Sequence, residues 1–219
     1  VEDEMTEEAK SIFPPNADIS IWEVMETCSL SRDEEISLKN YTENLGMIYL
    51  STPFSRSAAD FLFDIGVKAF KIGSGEADNL PLIRHIVKFQ KPIILSTGMC
   101  TMNEVRESVS AILGKGNTNL ILLHCVTNYP SNVEDMNLNC INSMKKEFGL
   151  PVGFSDHTLG IACSIGAAAL GANILEKHFT YDKNAEGPDH MLSADPEEMK
   201  TLIDSVRTIE KAMGDGIKK

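Results

Sequence analysis

The chain has 219 residues, 42% hydrophobic and 24% charged, enough for one sizeable core and ordinary for a globular protein. A formal net charge of −12 excludes an electrostatic fit to nucleic acid or to an anionic membrane, so an anionic substrate must be held by local donors. Cys28, Cys100, Cys125, Cys140 and Cys163 are scattered, no run is apolar and long enough to span a bilayer, and no signal-peptide pattern is present; the expectation is a cytoplasmic protein with reduced thiols.

Val1–Asp18 is acidic, contains proline and lacks periodicity, so it reads as a loop with at most a short helical turn. Ile19–Leu30 reads as a helix, and Ser31 with Glu34 forms a capping box for a second, with Leu38, Tyr41, Thr42 and Leu45 at helical spacing before Gly46. Met47–Ser51 predicts a buried strand. Ser55 then caps a helix that ends at Gly66. Ala69–Ile72 is a strand, Leu80–Phe89 a helix and Pro92–Leu95 a strand. Thr101 with Glu104 is another capping box, followed by the strand Leu120–Cys125 and the helix Asn137–Phe148. Val152–Phe154 and Ile174–Glu176 are strands around the small-residue helix Ala162–Ala172. Asp195-Pro196-Glu197-Glu198 starts a last helix, with Leu202, Ile203, Val206, Ile209 and Met213 on its expected buried face.

Six strands alternating with helices imply an α/β protein with a parallel sheet, either doubly wound or closed into a barrel. No glycine-rich nucleotide fingerprint follows a first strand, whereas polar residues end nearly every strand: Thr52, Lys71 and Ser74, Ser96, Asn128, Ser155 and His157, Glu176 and His178. That pattern favours a TIM (β/α)8-type barrel, with six of the eight strands in this chain and the first two expected to precede it in a longer parent. Residues 1–219 read as one partial barrel domain.

Pro151–Thr180 concentrates the chemistry. Ser155 and His157 are two apart on one strand end, and Glu176 and His178 repeat the spacing on the next, so all four share one sheet edge. Two imidazoles there read as a metal or catalytic site, or as caps on nearby backbone. Lys71 followed by Gly73-Ser74-Gly75 resembles a phosphate cradle, to which Thr52, Ser96 and Ser155 would add hydroxyl donors. Lys71 is alternatively a Schiff-base lysine. His124 and His190 read as unconnected with the paired histidines.

Ser51-Thr52-Pro53-Phe54-Ser55, Phe70-Lys71-Ile72-Gly73-Ser74-Gly75-Glu76, Ile94-Leu95-Ser96-Thr97-Gly98-Met99, Gly153-Phe154-Ser155-Asp156-His157-Thr158 and Glu176-Lys177-His178-Phe179-Thr180 resemble the sialic acid synthase family, which includes N-acetylneuraminate, legionaminate and pseudaminate synthases. The resemblance runs over essentially the whole chain, with motifs in the family order. It implies a (β/α)8 barrel that condenses phosphoenolpyruvate with an N-acetylated mannosamine-type sugar and releases phosphate. A divalent metal is implied too, Mn²⁺ first and Mg²⁺ or Co²⁺ as alternatives. So is a domain-swapped homodimer of the full-length parent, built through a C-terminal antifreeze-like domain that would follow Lys219.

Carried over by motif, His157 and His178 are metal ligands, and Lys71, Thr52, Ser74, Ser96 and Ser155 are phosphoenolpyruvate contacts. Glu176 and Glu76 are acidic groups at the reacting centre, and Asn16, Tyr129 and Asp189 lie near the sugar. His124-Cys125-Val126-Thr127-Asn128-Tyr129 departs from the neuraminate-type His-Thr-Thr-Asn-x-Tyr, placing Thr127 and Asn128 where an asparagine would meet phosphate. That difference tilts the reading toward the legionaminate-like branch. The alternatives are a class I aldolase using Lys71 and a non-catalytic truncated barrel. As a six-strand piece lacking a family Glu and Lys, the chain by itself is expected to be inactive or nearly so.

Overall fold

A computed structural model describes residues 5–13 and 18–218, so the expected sugar contact Asn16 lies outside the described residues. Five short strands, β1 (Phe70–Ile72), β2 (Ile93–Ser96), β3 (Leu120–Cys125), β4 (Val152–Asp156) and β5 (Leu175–Lys177), form one sheet in sequential order. All four neighbouring pairs are parallel, because a helix carries the chain back between each strand and the next. These crossovers are α5 (Leu80–Val87), α6 (Met102–Leu113), α7 (Cys140–Phe148) and α8 (Ala162–Ala169). Before β1 come α1 (Glu7–Lys10), α2 (Ile21–Cys28), α3 (Arg32–Asn44) and α4 (Arg56–Asp64); α9 (Pro196–Ala212) follows β5.

Helix starts follow their local chemistry. Ser31–Glu34, Thr101–Glu104 and Asp195–Glu198 each close a reciprocal capping box, and Ser20–Glu23 adds a fourth at the head of α2. Pro196 sits at the first turn of α9, where its missing N–H costs nothing. Gly149 ends α7 in the left-handed region at φ 63°, which a residue with a Cβ adopts only with strain.

The register sorts the strand residues into two faces. Phe70, Ile72, Ile93, Leu95, Leu120, Leu122, Val152 and Phe154 are buried toward the helices and pack with Leu82, Ile83, Ile86, Ile112, Ile141 and Ala167. Lys71, Ile94, Ser96, Ile121, Leu123, Cys125, Gly153, Ser155 and Glu176 share the opposite face. The sheet curls around this second face, since Lys71 on β1 reaches Glu176 on β5. The architecture is a curled parallel half-barrel.

The expected strand Met47–Ser51 is a correction. This segment is extended but joins no ladder among the described residues, so the sheet has five strands, not six. A strand inside a parallel sheet is covered on both faces. Here Ile48 is 69% exposed and Tyr49 alone is buried, with its hydroxyl donating to Glu35 at 2.9 Å. Two expected apolar helix faces also differ. Leu38, Tyr41 and Leu45 of α3 and its cap are exposed, and on α9 only Leu202 is buried while Ile203 and Met213 face solvent. Helix α9 packs chiefly on α8 and stands off β5, leaving a groove of about 310 Å³ lined by Leu175, Met199, Leu202 and Val206.

Candidate active site

The carboxyl ends of the five strands bring one constellation together. Ser155 Oγ donates to Glu176 Oε1 at 2.7 Å, and the other oxygen of that carboxylate forms an ion pair with Lys71 Nζ at 3.3 Å. Two residues beyond Ser155 and Glu176, the same alternation places His157 and His178, whose ring centroids are 5.3 Å apart and nearly perpendicular. Tyr129 closes over both rings, 4.3 Å from His157 and 5.7 Å from His178.

Each imidazole is oriented through Nδ1. A carbonyl can only accept, so the 2.9 Å contact between His157 Nδ1 and Val126 O fixes the proton on Nδ1 and turns the Nε2 lone pair outward. His178 Nδ1 faces Asp189 Oδ2 at 3.5 Å, which likewise leaves Nε2 free of that partner. Burial pushes the His178 pKa down, Asp189 opposes it and the neighbouring His157 adds to the decrease, so the ring is held neutral. Two imidazoles, each with Nδ1 facing an oxygen, are a donor set suited to a divalent metal of borderline softness. Among the described residues no third His, Cys, Asp or Glu completes a cluster, so most of the coordination sphere would be open.

A second group of small and polar residues lies beside this one. Ser74 Oγ accepts the Gly98 N–H at 3.0 Å and donates to Cys125 Sγ at 3.5 Å. Thr127 Oγ1 lies 4.0 Å from the same sulfur. A Cβ added at Gly98 would collide with Thr127 Oγ1 and approach Cys125 Sγ to 2.8 Å, so glycine there keeps a space open among three polar atoms. Ser96 Oγ is buried with no partner among the described residues, a donor and acceptor left unused. Burial alone would raise the Cys125 thiol, but hydrogen bonding from His157 and Ser74 holds it below the ordinary value. Burial also opposes charge on His157, yet Cys125 and the Val126 carbonyl leave its pKa raised overall.

The sequence-derived residues therefore divide. Lys71, Ser74, Ser96, Thr127, Tyr129, Ser155, Glu176, His157, His178 and Asp189 converge on the concave edge of the sheet. Thr52 runs alongside, its methyl 3.7 Å from where a Gly73 Cβ would be. Glu76 sits in the turn after β1 and accepts from Asn79 at 2.6 Å, and Asn128 is exposed, so neither joins the cluster through these contacts. His124 is spent on the Met136 carbonyl and His190 on Thr180, in keeping with their separation from the paired histidines. Cys125, Asp156 and Lys177 were not singled out from the sequence. Cys125 was within reach of the same alternation, being two residues before Thr127.

A curled parallel sheet with its polar groups at the carboxyl ends of the strands belongs to the barrel enzymes, whose sites occupy that edge. Within that class the chain belongs to the NeuB family, whose sequence pattern matches residues 2–218. It is 44% identical, over 90% of its length, to N,N'-diacetyllegionaminic acid synthase of Legionella pneumophila, spanning 57% of that protein. It is 38% identical, over 84% of its length, to N-acetylneuraminate-9-phosphate synthase of Homo sapiens, spanning 51% of that protein. Its fold superposes on the crystal structure of N-acetylneuraminic acid synthetase from Leptospira borgpetersenii serovar Hardjo-bovis with a TM-score of 0.86 and 33% identity, covering 90% of this chain and 69% of that one. The chain thus spans a little over half the length of the curated relatives it matches, and those relatives are sialic-type acid synthases.

Proposed function

We propose that the protein whose barrel this chain forms is a nonulosonate synthase. It joins phosphoenolpyruvate to an N-acetylated mannosamine-type sugar and releases phosphate, and its sugar belongs to the legionaminate-like branch. The observation that carries this reading is the convergence, on one sheet edge, of a lysine, a buried hydroxyl with no partner among the described residues, and two imidazoles each engaged through Nδ1. Family membership supports it, as does the likeness to the named legionaminic acid synthase.

Lys71 and the hydroxyls of Ser96, Ser74 and Thr127 bind the phosphate, so a dianion is met by one charge and several neutral donors in a net acidic protein. His157 and His178 would hold the divalent metal, Mn²⁺ foremost, which supplies Lewis acidity toward the aldehyde oxygen of the open-chain sugar. Tyr129, tilted against His157 and edge-on to His178, shields both rings from water, and Asp189 and Val126 help to orient them. The new bond forms between the enol methylene carbon and the aldehyde carbon. The aldehyde oxygen takes up a proton to become a hydroxyl. Water adds at the former enol carbon and gives a proton to Glu176. The C–O bond to phosphate then breaks as the added hydroxyl loses its proton, leaving the 2-keto acid and inorganic phosphate.

The test is phosphate release from phosphoenolpyruvate with a panel of N-acetylated sugars in ¹⁸O-labelled water. Label in the product and none in phosphate is expected; label in the phosphate would sink this chemistry. His157→Ala or His178→Ala should abolish metal dependence, whereas His190→Ala should act mainly through sugar binding.

A further inference from the structure

Asp156 and Lys177 each sit between two residues of the site, Asp156 between Ser155 and His157, Lys177 between Glu176 and His178. Strand alternation turns both away from the site, and the register pairs them directly across β4 and β5. Their side chains are 0% and 2% exposed, and Lys177 Nζ lies 3.4 Å from Asp156 Oδ2. We propose that this buried pair is a positioning device, which sets the direction of the His157 and His178 imidazoles from the helix side of the sheet.

Every oxygen of Asp156 is committed. Oδ1 accepts the Thr158 N–H at 2.9 Å and the Thr158 hydroxyl at 2.7 Å, while Oδ2 accepts Ser164 Oγ of α8 at 2.6 Å. Lys177 Nζ in turn donates to Thr158 O at 2.5 Å. Thr158 is thereby held at its amide, its hydroxyl and its carbonyl, and His157 is the residue between the two ends of that clamp. The His157 carbonyl is fixed as well, accepting Ser131 N–H at 2.9 Å. On β5 the pull on Lys177 precedes His178, whose carbonyl accepts Ala194 N–H at 2.8 Å.

Stability alone does not account for a charge pair at this place. Val152 and Phe154 occupy the same face of β4 two residues apart, ahead of Asp156, and are fully buried among apolar neighbours. A buried ion pair rarely improves on well-packed hydrophobic residues, because desolvation offsets its attraction. What apolar residues cannot do is grip a particular backbone carbonyl and amide beyond the end of the ladder, and that is where the two histidines begin. The pair exchanges nothing with a substrate; it acts through the rings it aims.

The metal half of the test rests on the proposed function, so the experiment carries a metal-free half as well. Lys177→Met, Lys177→Arg and Ser164→Ala are made in the full chain, with Ile112→Val as a control that loosens the core in α6. Imidazole ¹⁵N–¹H spectra without metal should show wild-type His157 as one tautomer, protonated at Nδ1. Lys177→Met should average the tautomers, Ser164→Ala should do so in part, Lys177→Arg should restore the single form, and the control should match wild type. Mn²⁺ affinity should fall about 10- to 100-fold in Lys177→Met and recover in Lys177→Arg. If wild type binds no Mn²⁺, the metal assignment falls and the tautomer readout alone decides the positioning role. A single Nδ1–H tautomer in folded Lys177→Met overturns the proposal; if that variant does not fold, the same result in Ser164→Ala overturns it.

Discussion

Lys71 Nζ lies 3.3 Å from Glu176 Oε2, although the two residues belong to the first and last strands of the sheet. In a flat sheet, four inter-strand steps would separate β1 from β5 by about 19 Å, beyond the combined reach of the two side chains. The contact therefore reports curvature, and it bridges the concave face where the polar strand ends gather. With Glu176 40% exposed, such a pair is worth about 1 kcal/mol or less, so Lys71 can leave the carboxylate for an incoming phosphate at little cost.

The first prediction follows from that exchange. Lys71→Met should weaken phosphoenolpyruvate binding at least about 10-fold, by removing the charge that meets the dianion. Glu176→Gln should tighten binding, since the competitor for Lys71 becomes neutral, while turnover drops. Titration calorimetry with phosphoenolpyruvate separates the two. The proposed condensation forms no imine, so borohydride should trap no pyruvate adduct on Lys71. A trapped adduct would instead favour the aldolase reading.

Gly98→Ala should block the phosphate side of the site. The new methyl would meet Thr127, Cys125 and Ser74 in the space that glycine leaves open. Overpacking of this kind costs about 1–3 kcal/mol, part of which the neighbouring side chains can relax. The expected result is a folded protein whose affinity for inorganic phosphate is lost, read by the same titration. Unchanged phosphate affinity would place the anion elsewhere.

Much of this site was legible in the sequence because a strand has a period of two. Ser155 with His157, and Glu176 with His178, needed only that rule and parallel strands to be brought to one edge. The same rule hides what lies one residue off: Asp156 and Lys177 read as ordinary polar residues at a strand tip, and only the register shows that they are buried and paired. Met47–Ser51 failed for a different reason. Its apolar pattern is that of a buried strand, but burial depends on neighbours that pattern alone does not supply, and Ile48 and Leu50 lie exposed. The exposed apolar faces of α3 and α9 share that cause.

His124 gives a prediction about acid. Burial against Phe154 pushes its pKa below the ordinary 6.5, with the Met136 carbonyl only partly opposing, so the folded protein prefers the neutral ring. The unfolded chain then binds the proton more readily. The His124 contribution to stability is full above the unfolded pKa and is lost as pH falls from there through the folded value. His124→Gln keeps a donor for Met136 and removes the titration. Urea midpoints compared at about pH 7.5 and 5.5, on either side of the free imidazole value, should fall more for wild type than for the variant. Equal falls would show that His124 does not titrate differently on unfolding.

The last prediction concerns the seam between β4 and β5, on which both histidines depend. Gly153 faces the concave side, and a Cβ there would strike the Ile174 carbonyl and come within 2.7 Å of Leu123 Cδ2. Ile174 O is the acceptor of the Phe154 N–H ladder bond at 2.9 Å, so the obstruction is backbone and cannot rotate away. The strands must separate or shift, and every cross-strand contact above that point moves with them: Ser155 to Glu176 at 2.7 Å, then Asp156 to Lys177 at 3.4 Å. Gly153→Ala should therefore cost about 1–3 kcal/mol in urea unfolding, as a lower midpoint at constant slope. It should also disturb the His178 imidazole resonance while leaving Phe63, at the outer end of α4, unchanged. A variant as stable as wild type with an unmoved His178 signal would mean that β4 and β5 are not packed as closely as this seam requires.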